Sequence, residues 1–147
     1  MPELKFPTEI VDLPSKGIVY PEGHPLKDGK IEIKYMTAKE EDILSNQSYI
    51  NNNTVLDKLL ESMVISPKID IKDLIVGDKN ALLVACRILG YGSKYTFSLG
   101  SKPITVDLKT LDALPLRTDI ITEGKNEIEY ILPQTQNKIT FKFLNGH

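Results

Sequence analysis

The sequence has no tryptophan, a single cysteine and only two histidines in 147 residues. One cysteine excludes an internal disulfide and fits a reducing compartment. That residue, Cys86, closes the apolar run Ala81–Cys86. A small buried hydrophobe is the simpler reading there, because a reactive thiolate needs an electropositive, accessible setting. Neither His24 nor His147 has a Cys, Asp or Glu beside it at ligand spacing, and structural zinc gathers about four clustered ligands. No metal and no cofactor are expected. An excess of one charge is also missing: 18 basic and 20 acidic residues leave a formal net charge of −2. The charges are interspersed rather than blocked, so neither nucleic acid nor an anionic membrane is expected as a partner. No apolar run approaches the roughly 20 residues that span a bilayer, and the first residues carry no apolar signal-peptide stretch. Together these absences point to the cytoplasm of the cell that makes the protein.

What is present is ordinary globular composition, 41% hydrophobic and 26% charged, in a chain long enough for one domain with its own core. The pattern predicts an α+β fold: a single small domain with a three-helix core, antiparallel β-hairpins and an extended N-terminal arm. Residues 1–29 form the arm and residues 30–147 the α+β domain. The arm holds five of the nine prolines together with Gly17, Gly23 and Gly29, and such residues favour turns and extended chain. A purely solvated linker would not need Ile18, Val19 and Tyr20, so the arm is expected to pack on something, its own domain or a neighbour.

Ile31, Ile33 and Tyr35 alternate with Glu32 and Lys34 as in a half-buried strand. Thr37 and Glu40 have the spacing of a capping box and open a helix over 38–45. Residues 45–53, rich in Asn, Gln and Ser, read as a loop with Tyr49 and Ile50 at its tip. A second helix spans 54–64, with Leu56, Leu59, Leu60 and Met63 on one face. Residues 70–76 suggest a helical turn. Asp78 is expected to cap a third helix over 79–89, apolar on nearly all sides and therefore central, with Gly90 at its left-handed stop. Further on, Tyr95, Phe97 and Leu99 pair with 104–108, a helical turn fits within 108–116, and 127–132 pairs with 138–144. The abrupt end after that last strand suggests that the natural product continues.

No constellation points to catalysis. Glu40, Glu41 and Asp42 begin a helix, where carboxylates serve capping and the helix dipole. Gly77-Asp78-Lys79-Asn80 lacks the glycine spacing of a phosphate loop. A small hydrolase or nucleotide-binding enzyme using Glu40, Glu41 and Asp78 is the alternative reading. What stands out instead is apolar display: Phe6, Ile18, Val19 and Tyr20 in the arm, with Ile10 and Val11 near them, and Tyr49 and Ile50 at the loop tip. Clusters of this kind mark partner surfaces, so Phe6, Ile18, Val19, Tyr20, Tyr49 and Ile50 are the candidate partner-binding residues.

Five blocks, in order, carry a resemblance. They are Leu13-Pro14-Ser15-Lys16-Gly17 with Tyr20-Pro21, then 34–44 (Lys-Tyr-Met-Thr-Ala-Lys-Glu-Glu-Asp-Ile-Leu), then Leu56-Asp57-Lys58-Leu59-Leu60, then Gly77-Asp78-Lys79-Asn80-Ala81, and finally Ile88-Leu89-Gly90-Tyr91-Gly92. Across roughly residues 13–145 the chain resembles the baseplate hub subunit or hub-assembly protein family of T-even-type contractile-tailed bacteriophages. The resemblance implies a non-enzymatic subunit or assembly chaperone, found in the host cytoplasm or the virion tail baseplate. Its partners would be other hub proteins or further copies of itself. Some members of that family carry a Cys-x-x-Cys pair after the position matching Tyr91. Here 95–103 contains no cysteine, so the resemblance implies no metal in this chain.

Overall fold

A computed structural model describes residues 6–147; the first five residues of the expected arm lie outside the described residues. The fold is mixed α+β, a single small domain of four α-helices and three two-stranded antiparallel sheets. Strand β1, Thr8–Asp12, pairs with β2, Lys30–Lys34, in a register that sets Thr8 opposite Lys34 and Asp12 opposite Lys30. Ile31 and Ile33 face inward and are fully buried, as their alternation requires. The exposed Glu9, Ile10 and Asp12 of β1 carry no such signal, which is why the sequence reads as an arm there.

The division at residue 29 does not exist. Pairing of β1 with β2 straddles it, and Leu13, Val19, Tyr20 and Leu26 belong to the hydrophobic core. The loop between the two strands folds on itself. Leu13 N–H donates to the Gly29 carbonyl at 2.8 Å, and a Cβ on Gly17 would lie 2.0 Å from the Lys27 carbonyl oxygen. With φ at +75°, Gly17 is required on both steric counts.

Helix α1, Ala38–Ser45, begins as expected: Glu40 reaches back and accepts the Thr37 N–H at 2.9 Å. The expected loop that follows is instead a short helix, α2, Gln47–Asn51. Asn46 accepts N–H bonds from Ser48 and Tyr49, an N-cap that competes successfully with the polar composition. Helix α3, Val55–Met63, buries Leu59, Leu60 and Met63, while Leu56 lies 47% exposed. A 3₁₀ turn at Ile71–Asp73 is capped by Asp70.

Helix α4, Val76–Tyr91, departs most from expectation. It starts at the Ile75 N-cap and ends at Gly92, whose φ is +84°. Asp78 is therefore inside the first turn and does not cap it. Gly90 is helical, and a Cβ there would lie 2.9 Å from the Met36 sulfur. Only Asp78, Leu82 and Cys86 are fully buried on this helix. They recur every four residues, so α4 presents one stripe to the core and is not surrounded. Burial pushes the Cys86 thiol up to about 12. We expect Cys86 to resist alkylation by an aqueous thiol reagent in the folded protein and to react at once in denaturant, read by mass; rapid labelling under native conditions would contradict its burial.

Strands β3, Lys94–Leu99, and β4, Lys102–Asp107, form the second sheet. A 3₁₀ turn, Leu108–Thr110, leads away from it. Strands β5, Ile128–Ile131, and β6, Lys138–Phe141, form the third. The tail after β6 is tied back to the body: Val76 N–H donates to the Leu144 carbonyl, and Gly146 N–H to the Lys72 carbonyl, each at 2.8 Å.

Candidate protein-interaction surface

Two of the three carboxylates suggested as catalytic groups, Asp78 and Glu40, are used in two separate buried locks. Asp78 is wholly buried and accepts three hydrogen bonds: from Ser15 N–H at 2.9 Å, the Ser15 hydroxyl at 2.6 Å and the Tyr20 hydroxyl at 2.8 Å. The Tyr20 oxygen in turn accepts Ile75 N–H at 3.1 Å, and burial raises the Tyr20 phenol far above its ordinary range. This lock fastens the β1–β2 loop to the first turn of α4. Glu40 is also wholly buried. It accepts from Lys34 Nζ at 2.7 Å and from the Ser62 hydroxyl, and on its other oxygen from the Thr37 N–H and hydroxyl. Burial alone would raise its pKa; the bonds from Lys34, Ser62 and Thr37 outweigh that and hold it at about 2. This second lock ties β2 to α1 and α3. The two share no side chain, and Glu41 is exposed on α1, so the three acids do not make one site. Among the described residues, no three His, Cys, Asp or Glu side chains gather to hold a metal ion, and no helix is long and apolar enough to cross a membrane.

The six candidate contact residues are not gathered either. Val19 and Tyr20 are 2% and 5% exposed, so they are core and not display. Packing explains this: Val19 fills the interior, and Tyr20 brings its hydroxyl to Asp78. Ile18 is half-buried at the edge of a cavity of about 720 Å³ between the β1–β2 loop and residues 111–118. Tyr49 is half-buried, while Ile50 and Phe6 are exposed. Phe6 has the Lys34 ammonium 5.3 Å from its ring centroid.

A larger apolar display lies elsewhere. In β3–β4 the register sets Tyr95 opposite Val106 and Phe97 opposite Ile104. These residues and Leu99 therefore share one face, with Lys94, Thr96, Ser98 and Thr105 on the other. Every residue of β3 is exposed, Leu99 to 68%. Tyr95 and Phe97 stack at 6.0 Å, and the Arg87 guanidinium lies over both Tyr91 and Tyr95. That stack fixes the root of the hairpin to the end of α4. In β5–β6, Tyr130 lies opposite Ile139 and Ile128 opposite Phe141. Of this face only Ile128 is buried; Tyr130, Ile139 and Phe141 are exposed. Asn126 clasps the hairpin root by donating to the Phe143 carbonyl at 2.8 Å and accepting the Phe143 N–H at 2.9 Å. Between the hairpins, Leu111 and Leu114 are exposed, Leu114 to 90%.

Both hairpins are legible in the sequence; their uncovered faces are not. Alternation shows which residues share a face; it does not show whether anything covers that face. A signal was available: the strands after residue 93 are separated from the helices by turns, with no further apolar helix among the described residues to pack on them. No family model, curated protein or solved structure matches the chain.

Proposed function

We propose that this protein is non-enzymatic and acts through protein contacts, as a subunit or assembly factor of the tail baseplate hub of a contractile-tailed bacteriophage, made in the host cytoplasm. The observation that carries the contact role is the pair of hairpins with uncovered apolar faces. A two-stranded hairpin alone is marginal in water, and apolar faces of this kind mark interaction surfaces. The hub assignment rests on the five sequence blocks. In the fold, Ser15 and Tyr20 of the first block meet Asp78 of the fourth, and Lys34, Thr37 and Glu40 of the second form the other lock. Blocks distant in sequence thus converge as determinants of one fold. The enzyme alternative has no such observation, since Glu40 and Asp78 are fully engaged.

Mass spectrometry of purified virions and of hub complexes from infected cells tests the reading. A structural subunit appears in both, and an assembly factor in the complexes alone. Absence from both overturns the hub assignment. Phe97→Ser and Tyr130→Ser are expected to shift unfolding free energy by less than about 1 kcal/mol, as surface changes do, while lowering recovery of the protein with its partners. Equal recovery of both variants and wild type would remove the hairpins from the contact.

A further inference from the structure

We propose that the tail after β6 is a pH-sensitive latch, in which protonation of His147 tightens its hold on Asp73 and so on the body of the protein. The device concerns how the β5–β6 hairpin is held, and it stands or falls separately from the hub reading. The chain has only two histidines, and both reach one carboxylate. His24 Nε2 lies 3.2 Å from Asp73 Oδ2, and His147 Nε2 lies 2.8 Å from Asp73 Oδ1. One imidazole comes from the β1–β2 loop and the other from the tail, and Asp73 sits in the 3₁₀ turn between them.

The two rings have different roles. Leu26 N–H donates to His24 Nδ1 at 3.2 Å. That nitrogen carries the lone pair, so the ring proton sits on Nε2 and is donated to Asp73. A second proton on His24 would set two donors face to face at Leu26. The ring is also clamped against Tyr20, with centroids 5.4 Å apart and planes 16° from parallel. His24 is therefore a neutral positioning residue that holds Asp73 in place, and its protonated Nε2 is no metal ligand. His147 has no such restraint, and its side chain is 56% exposed.

Imidazole is the side chain whose charge ordinarily changes between pH 5 and 8. Above that range His147 gives Asp73 a neutral hydrogen bond; below it the bond is charge-assisted, which is the stronger kind. A released tail carries His147 away from Asp73. Protonation thus favours the docked tail, and the gain is present at low pH and lost as pH rises. Below about pH 4, where carboxylates take up protons, the pair fails again. The neighbouring charges do not compete. On the loop, Tyr20 is bound to Asp78, and Lys27 pairs with Glu22 and Glu123. On the 3₁₀ turn, Asp70 accepts Lys72 N–H. Lysine ammonium groups, those of Lys72, Lys125 and Lys142 included, ordinarily keep their charge across pH 5–8.

The tail is shaped to bring His147 to this point. A Cβ on Gly146 would lie 2.9 Å from Lys72 Cα, so glycine lets the tail lie flat on the turn. Leu144 and Gly146 supply the two backbone bonds to Val76 and Lys72. Loosening the latch leaves the hairpin held by the Asn126 clasp and buried Ile128.

Amide hydrogen exchange of the full chain, read by NMR and divided by the intrinsic rate at each pH, tests the latch. Val76 and Gly146 report it, since their N–H groups are bonded across the contact between tail and body. Protection of both is expected to be about two- to fivefold higher at pH 5.5 than at pH 8. The rise should follow the ring resonance of His147, while Val64 N–H, bonded within α3 to the Leu60 carbonyl, stays constant. His147→Gln keeps a neutral donor and is expected to show no rise. His24→Gln should lower protection at both pH values and keep the rise. Gly146→Ala should lift the tail and lower protection of Val76 at both. A flat wild type, a rise that survives in His147→Gln, or an equal rise at Val64 overturns the latch.

Discussion

Replacing Asp78 by alanine is expected to lower the stability of the protein by about 3–5 kcal/mol, and its melting temperature by on the order of 10 °C. Asp78 has no exposed surface, and its carboxylate collects Ser15 N–H, the Ser15 hydroxyl and the Tyr20 hydroxyl. Alanine leaves these three donors buried without an acceptor, and each orphaned group costs about 1–3 kcal/mol less whatever water can enter. The damage spreads, because the lock joins residues 58–63 positions apart in sequence. Without it the loop over 13–29 has its turns but no anchor on α4. Asp78→Asn keeps the shape and one acceptor, so its loss should be intermediate. Tyr20→Phe removes one donor to Asp78 and the acceptor of Ile75 N–H, and should cost roughly 1–2 kcal/mol. Denaturant and thermal unfolding order the series. An Asp78→Ala protein that melts within about 2 °C of wild type would show that the lock does not hold the loop.

Glu40 gives the second large effect, with a pH signature. An unperturbed glutamate titrates near 4.5, and Glu40 is held at about 2. A carboxyl with a depressed folded-state pKa stabilises the protein above its unfolded value, and that contribution is lost as pH falls through the folded value. The contribution is on the order of 3 kcal/mol, fully present at neutral pH and lost between about pH 4.5 and 2. Glu40→Gln should therefore be less stable than wild type at pH 7, lack the steep acid limb over that window, and meet the wild-type curve near pH 2. Glu40→Ala should be worse at neutral pH, since Lys34 is only 12% exposed and would lose its counter-charge. Parallel stability curves for wild type and Glu40→Gln from pH 7 to 2 would contradict the assignment.

Both residues show what a sequence discloses and what it hides. The Thr37–Glu40 spacing was legible because a capping box is local, and Glu40 does reach back to Thr37. That the same carboxylate receives Lys34 and Ser62 was not legible, because Ser62 lies 22 residues away and no local pattern announces it. Asp78 looked like a cap since it follows Gly77. The helix begins two residues earlier, and burial against Ser15 and Tyr20 decides the role of the acid. The same tertiary override turned Val19 and Tyr20 from display into core. Period-two alternation made β2, β3–β4 and β5–β6 readable, and β1 was lost because four of its five residues are exposed. The contact surface was half legible. Tyr95, Phe97, Leu99, Ile139 and Phe141 stood out as faces, but no local pattern could say that those faces stay uncovered.

Lysine-directed crosslinking of purified virions and assembling hub complexes reads out whether the hairpins are the surface that meets a partner. Lys102 shares the apolar face of β3–β4 and Lys94 lies on its reverse, while Lys138 lies on the reverse of the apolar face of β5–β6. Crosslinks are expected from these three to a second polypeptide, a hub protein or another copy, while Lys30 and Lys68 in the body link only within the chain. Intermolecular links confined to the body, with the hairpin lysines modified but unlinked, would contradict it.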